Sequence, residues 1–351
     1  MRVWALNLPQ FYETKENNKW WGEGYTEWTA VRRAKPLYNG HVQPMIPLND
    51  NYYDLSKPET LAWQAELARR YGVEGFVYYH YWYNGRHLLE KPCEVLLQHP
   101  EIQISYCFCW ANHTWTRAWD GKNHEILVEQ TYGDKDEWEE HFQYLLPFFR
   151  DTRYIRINDR PVLFIYNAGS ITKGKERLNY WNKRLAEEGF PELYVVEYLS
   201  TFNPRPALEK SAAVYEDEPN YSCRFEISPV NKLKRLACKK LKLTDYQNYD
   251  RLWQLNLKKD KTYNGRAIIH GGFPRWDNSP RKGKNSRVIR GASPEKFKGY
   301  LRRLNEGQRK DAAGILLLNA WNEWGEGTML EPTVQDGYGY LEAIKEVFGA
   351  Q

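Results

Sequence analysis

Near the end of the chain, Trp321–Gly327 (WNEWGEG) sets Glu323 and Glu326 three residues apart, directly after the apolar run Gly314–Ala320. Two carboxyls that close hold different protonation states, because each opposes ionisation of the other. Hydrolysis of a glycosidic bond has that requirement: one protonated carboxyl assists the leaving oxygen, and a second group stabilises or attacks the developing oxocarbenium centre. Asn322 and Trp324 lie beside the pair as candidate sugar contacts, and Gly325 and Gly327 let the backbone turn tightly next to a substrate. Glu331, in the following LEPT segment, is a candidate anchor for the loop. A surface loop with two solvated glutamates is the alternative. Two tryptophans and two glycines in seven residues argue against it.

Other clusters carry the same mixture of polar and aromatic groups. Tyr78–Arg86 (YYHYWYNGR) contains His80 and Trp82, which alternation sends to the barrel axis if Tyr79 and Tyr81 face outward. His80 then bonds a sugar hydroxyl; a satisfied core histidine is the competing reading. Trp110–Asp120 (WANHTWTRAWD) offers Asn112, His113, Trp115 and Trp119, and Tyr12, Trp21 and Trp276 complete the candidate substrate-binding set. His80, His113 and His270 match no local metal-ligand spacing, so no metal is expected. No P-loop or strand-linked GxGxxG is present, and no cofactor is expected.

The elements that must position these groups repeat a pattern of short apolar run and helical segment, which argues for parallel strands with crossover helices. Eight strands are expected: Val3–Leu8, Gly75–Tyr81, Ile104–Trp110, Val162–Tyr166, Leu193–Leu199, the weak run Ala212–Tyr215, Arg266–His270 and Gly314–Ala320. Helices are expected at Pro58–Tyr71, Trp138–Phe149, Lys173–Glu188 and Tyr338–Phe348. The simplest architecture is a (β/α)₈ barrel forming one domain over residues 1–351, with long βα-loop insertions. Barrel chemistry sits where strands end. Just past the expected strands lie Asn7 to Tyr12, His80 and Trp82, Asn112 to Trp119, then Glu197, Glu216 and Glu218, then His270, Phe273 and Trp276, and finally Asn322, Glu323 and Glu326.

Two loops are long enough to carry function. Phe11–Tyr53 contains KWWGEGYTEW (Lys19–Trp28) and is a candidate wall of the cleft. Asn220–Asp260 contains the basic stretch Lys232–Lys242 (KLKRLACKKLK), either a solvated surface helix or a peripheral contact with an anionic membrane or lipid-linked glycan.

Composition narrows the substrate class. A net charge of +5 from 50 basic and 45 acidic residues is too small and too mixed to imply nucleic-acid binding. With 15 Trp and 26 Tyr but a mean hydropathy of −0.78, many rings must serve elsewhere than the core. Flat rings with a polar edge suit the C–H faces and hydroxyls of pyranoses, so an oligosaccharide or polysaccharide is the expected partner. The five cysteines lack a framework spacing and fit reduced thiols in the cytosol; Cys107 and Cys109 fall in an apolar run and are expected in the core. Pro9 interrupts any signal-peptide pattern, and no apolar run reaches transmembrane length, so a soluble cytoplasmic protein is expected.

The sequence resembles the WbsX-like proteins, which carry the label of lipopolysaccharide-biosynthesis glycosyltransferases and are similar to glycoside hydrolase family 99. The resemblance covers most of the chain. It is carried by Trp20–Pro44, Gly75–Gly85, Cys109–Gly121, the Arg160–Pro161 turn and Asn322–Pro332 (NEWGEGTMLEP). It implies a (β/α)₈ barrel and, from the family 99 relatives, an endo-acting, retaining hydrolase of α-mannosides. Carried over, Glu323 would be a base on the sugar 2-hydroxyl, giving a 1,2-anhydro sugar, and Glu326 the acid and then base. Gly325 stands where the hydrolases carry histidine. The functions in view are a retaining glycoside hydrolase, a glycosyltransferase of O-antigen or capsule assembly, and a non-catalytic sugar-binding barrel.

Overall fold

The computed structural model describes residues 1–117, 122–259, 262–307 and 312–349. Eight parallel strands close into a barrel: β1 (Arg2–Asn7), β2 (Gly75–Tyr83), β3 (Ser105–Trp110), β4 (Arg160–Ile165), β5 (Tyr194–Leu199), β6 (Ala213–Glu216), β7 (Ala267–Gly272) and β8 (Ala312–Leu318). Closure is direct, with Trp4–Asn7 of β1 against Gly75–Tyr78 of β2 and Arg2–Ala5 against Ile315–Leu318 of β8. All eight expected strands are present, the weak sixth as four residues. Parallel strands are covered on both faces, so they read as near-continuous apolar runs; β5 is buried throughout.

Helices α1 (Pro58–Arg70), α2 (Lys91–Gln98), α3 (Lys135–Arg150), α4 (Gly174–Glu187), α5 (Tyr249–Leu257), α6 (Pro294–Glu306) and α7 (Gly339–Phe348) pack outside the barrel. Their starts are written in local chemistry. Proline occupies the first turn of α1, α2 and α6, where its missing N–H would have no intrahelical partner. Asn248 and Ser293 cap α5 and α6 by accepting from the backbone N–H groups of Arg251 and Lys296. Outward rings of the strands meet inward rings of the helices, as where Phe108 of β3 meets Phe148 of α3 with centroids 4.9 Å apart.

Two insertions rise at the C-terminal end. The segment after β1 carries helices Lys15–Trp21 and Glu27–Arg33 and is pinned by an aromatic cluster in which Trp28 lies 4.8 Å from Phe11, 5.1 Å from Tyr53 and 5.3 Å from Trp324. The segment after β6 carries helix Pro229–Lys240 and strand Asp245–Asn248, which pairs with Arg287–Arg290 of the loop after β7; that strand also pairs with Trp276–Asp277. The loops after β6 and β7 thus share one small sheet. All five cysteines are free, with Cys107 and Cys109 buried on β3. Among the described residues, no helix is long and apolar enough to cross a membrane.

Candidate active site

A cleft of about 780 Å³ opens at the C-terminal ends of the strands, where barrel enzymes place their chemistry. Glu323 and Glu326 both line it. After β8 the chain folds on itself: Asn322–Glu323 pair antiparallel with Thr328–Met329 around the short turn Trp324–Glu326. Gly327 closes that turn at φ 57°, a left-handed conformation that favours glycine.

One guanidinium organises the carboxylates. Arg281, from the loop after β7, reaches Glu27 with Nε (2.7 Å), Glu323 with Nη2 (3.0 Å) and Glu326 with Nη1 (3.1 Å). Glu27 comes from the loop after β1, so three separate βα loops converge on this point. Three carboxylates around one cation would leave two uncompensated negative charges if all ionised. Burial pushes the Glu323 carboxyl well above the ordinary carboxylate range; Arg281 pulls it back, while Glu326 and Glu27 push it further up. The same carboxylates hold the Arg281 guanidinium well above its usual range, against the opposing effect of its own burial. Glu323 has a 9% exposed side chain and Glu326 a 27% exposed one, so the second is the more open to a ligand.

The glycine between them has a steric cause. A Cβ at Gly325 would stand 1.8 Å from Glu27 Oε1 and 2.7 Å from Arg281 Nε. The Glu27–Arg281 ion pair fills the volume that a side chain at this position would enter. Beneath the loop, Glu331 anchors it as the sequence suggests, accepting from Tyr53 Oη (2.9 Å), Gln64 Nε2 (2.8 Å) and Trp324 Nε1 (2.7 Å). Burial pushes its carboxyl up to about 7, opposed by those donors.

A third acid in the cleft escaped sequence reasoning. Asp217, just past β6, accepts from Tyr198 Oη (3.0 Å), Asn319 Nδ2 (3.1 Å) and Asn220 Nδ2 (3.1 Å). Burial pushes it up to about 7, Asn220 and Tyr198 pull it down, and Glu326 and Glu218 add repulsion. Glu216 and Glu218, singled out from the sequence, lie on the other side of the barrel wall. There both pair with Lys259, at 2.7 Å for Glu216. The strand's two-residue period was the available signal, and it selects Asp217 against its neighbours.

The same parity corrects β2. Tyr79 and Tyr81 line the cleft, while His80 and Trp82 lie outside the barrel beneath α3. His80 Nε2 is 2.8 Å from His141 Nε2, and burial lowers its pKa to about 3, so the ring stays neutral. Trp82 Nε1 donates to Glu137, which also takes a 2.8 Å ion pair from Arg177. Neither reaches a sugar in the cleft.

Of the remaining candidates, Trp21, His113, Trp115 and Trp276 line the cleft with the two glutamates. His113 packs near-parallel with Phe202 at 5.8 Å and is held neutral by burial, its pKa near 4. Four others act behind the cleft surface. Tyr12 packs with Tyr81 and Tyr83, and its hydroxyl accepts from the Lys91 N–H. Asn112 bonds the backbone N–H and C=O of Asn167, fixing the adjoining loop. Asn322 does the same for Leu8, at 2.7 and 3.0 Å, and so ties the loop of Glu323 and Glu326 to the end of β1. Trp324 is buried against Trp28. Trp119 lies outside the described residues. Glu197 accepts from the Ala207 and Leu208 N–H groups and fixes the loop after β5, Phe273 is core, and His270 borders a smaller outer cavity with Lys259. His80, His113 and His270 therefore occupy three separate environments.

Tyr166, Tyr198 and Arg281 were also missed. Two of these are rings at the ends of β4 and β5, legible from the strand-end rule; Arg281 gave no local signal, being 42 residues from Glu323 and 254 from Glu27.

Residues 3–344 match the family model described as glycosyltransferase WbsX. Two curated relatives, both uncharacterised proteins called WxcX from strains of Xanthomonas campestris pv. campestris, are 31% identical over 345 residues, 97% of this chain and 49% of theirs. The chain thus spans about half the length of the curated relatives it matches. Among solved structures, a glycoside hydrolase-like protein aligns with a TM-score of 0.61 at 15% identity, over 100% of this chain and 94% of that one. The GH99 endo-alpha-mannosidase from Bacteroides thetaiotaomicron aligns with a TM-score of 0.56 at 14% identity, over 99% and 96%. At such identities the likeness is one of fold. The whole-length family match makes this chain a member of the WbsX glycosyltransferase family, a family of carbohydrate-active enzymes built here on a (β/α)₈ barrel.

Proposed function

We propose that this chain is a retaining glycosidase acting on α-linked, mannoside-like bonds of a polysaccharide or oligosaccharide, with Glu323 and Glu326 as its catalytic residues. The observation that carries the reading is the Arg281 fork, which holds both carboxylates at one point of an aromatic-lined cleft. In the first step Glu323 takes the proton of the sugar 2-hydroxyl, O2 attacks C1, and Glu326 gives its proton to the departing oxygen. The product is a 1,2-anhydro sugar. In the second step Glu326 takes a proton from water, the water oxygen attacks C1, and Glu323 returns its proton to O2. A base for a weakly acidic hydroxyl gains from a pKa raised toward that of the group it deprotonates, which burial supplies at Glu323. A general acid must reach the leaving oxygen, and Glu326 has the more open side chain.

A second reading, transfer of a sugar from a diphosphate-linked donor, is favoured by the family's description and by Lys282 and Arg287, which line the cleft near Glu326 and match the charge of a diphosphate leaving group. The test is to incubate wild type, Glu323→Gln and Glu326→Gln with a panel of α-linked oligosaccharides, with and without nucleotide sugars, and to resolve the products. Cleavage without nucleotide that both substitutions abolish supports the glycosidase. Products formed only with a nucleotide sugar sink it in favour of the transferase, and unchanged sugar binding with no turnover at all leaves a binding barrel.

A further inference from the structure

Helix Pro229–Lys240 is amphipathic, yet none of its residues is buried. Val230, Leu233, Leu236, Leu241 and Leu243 are between 55% and 74% exposed. A single exposed leucine needs no explanation, but five large apolar side chains within residues 230–243 do. The spacing of Val230, Leu233, Ala237 and Leu241 draws them into one stripe, and helical geometry places Lys234 and Lys240 along its two borders. From Ile227 to Thr244 the chain carries six cations and no acid. Among the described residues none of the six is in an ion pair. The segment is also part of the cleft: Arg235, Leu236, Lys239, Lys242 and Leu243 line its mouth.

We propose that this segment docks the protein on the surface of an anionic lipid bilayer. The apolar stripe enters the boundary between headgroups and acyl chains, and the lysines extend along it to the lipid phosphates. Charge selects this occupant: a covering protein segment or a second copy would satisfy the leucines but would have to oppose the lysines that border the stripe, in a segment without a single acid, with an acidic face, whereas an anionic membrane offers both chemistries at once. Docking sets the mouth of the cleft at headgroup level, where a glycan attached to a membrane lipid can enter without leaving the bilayer. That consequence rests on the carbohydrate reading above; the docking itself does not.

The test is co-sedimentation of the purified chain with vesicles of phosphatidylcholine alone and of phosphatidylcholine mixed with phosphatidylglycerol. Binding is expected to the mixed vesicles only and to weaken with salt. Lys234→Gln and Lys240→Gln should each lower the partition constant about fivefold. The double variant Leu233→Gln/Leu241→Gln should lower it at least about tenfold. These side chains are exposed, so circular dichroism should show the folded chain throughout. Glu326→Gln should bind vesicles as wild type does, which separates docking from catalysis. Equal binding to both vesicle types, no binding to either, or binding indifferent to all these substitutions overturns the proposal. A concentration-dependent dimer abolished by Leu233→Gln/Leu241→Gln without vesicle binding overturns it in favour of a second copy.

Discussion

Two buried clusters of cation and carboxylates lie on opposite sides of the same barrel wall. Outside, Lys259 holds Glu216 and Glu218, with hydroxyl donors added by Tyr263 and Ser222. Inside, Arg281 holds Glu27, Glu323 and Glu326, and the cluster faces the cleft. The outer cluster carries one excess negative charge when ionised and the inner one two. The outer set is the more enclosed, with side chains 0–5% exposed, while Glu326 opens to 27%. Carboxylates of one residue type are thus enclosed around their cation on one side of the wall and crowded yet open on the other, the arrangement that the proposed proton transfer needs.

The largest expected effect breaks the outer cluster. Lys259→Met leaves two carboxylates buried without their cation and should lower stability by about 3–5 kcal/mol in denaturant titration at neutral pH, with turnover per folded molecule unchanged. An unchanged midpoint would remove the distinction between the two clusters. The inner cluster should respond in the opposite sense. Gly325→Ala forces a methyl against Glu27 and Arg281, and the displaced fork should lower kcat/KM by about a hundredfold with little change in melting temperature.

Strand positions were legible because parallel barrel strands are apolar on both faces, and that same property hid their parity. In GFVYYHYWY every position is aromatic or apolar enough to be buried, so alternation did not say which set faced the axis. Glu216, Asp217 and Glu218 posed the same ambiguity, three acids in a row of which the middle one enters the cleft. The WNEWGEG pair was legible because strand, turn and carboxylates are contiguous. The Glu27–Arg281 contact joins loops 254 residues apart and exists only once the barrel closes.

The pH profile sharpens the inner half of the comparison. In the proposed first step Glu323 acts deprotonated, and burial raises its pKa, so kcat/KM should still be climbing above the pH at which an ordinary carboxylate has fully ionised. Arg281 favours the ionised form, so Arg281→Gln should move this acid limb to higher pH, as read from kcat/KM across the acidic and neutral range. A limb that stays put would detach Arg281 from the base.

The smallest contrast is between two tryptophans. Trp115 lines the cleft, and Trp115→Ala should raise KM by about tenfold through the loss of a stacking face, roughly 1.4 kcal/mol. Trp82, bonded to Glu137 behind the wall, should leave KM unchanged when replaced by Phe while lowering the melting temperature. Equal changes in KM would erase the inside–outside difference.

The most direct measurement follows the anomeric protons of a cleaved α-linked mannoside oligosaccharide by NMR at early times, for wild type and for Glu323→Gln. Catalysis by the Arg281-held pair through O2 attack predicts that the α anomer of the new reducing end appears first and that the variant forms none. A β anomer appearing first, or undiminished cleavage by Glu323→Gln, would contradict it.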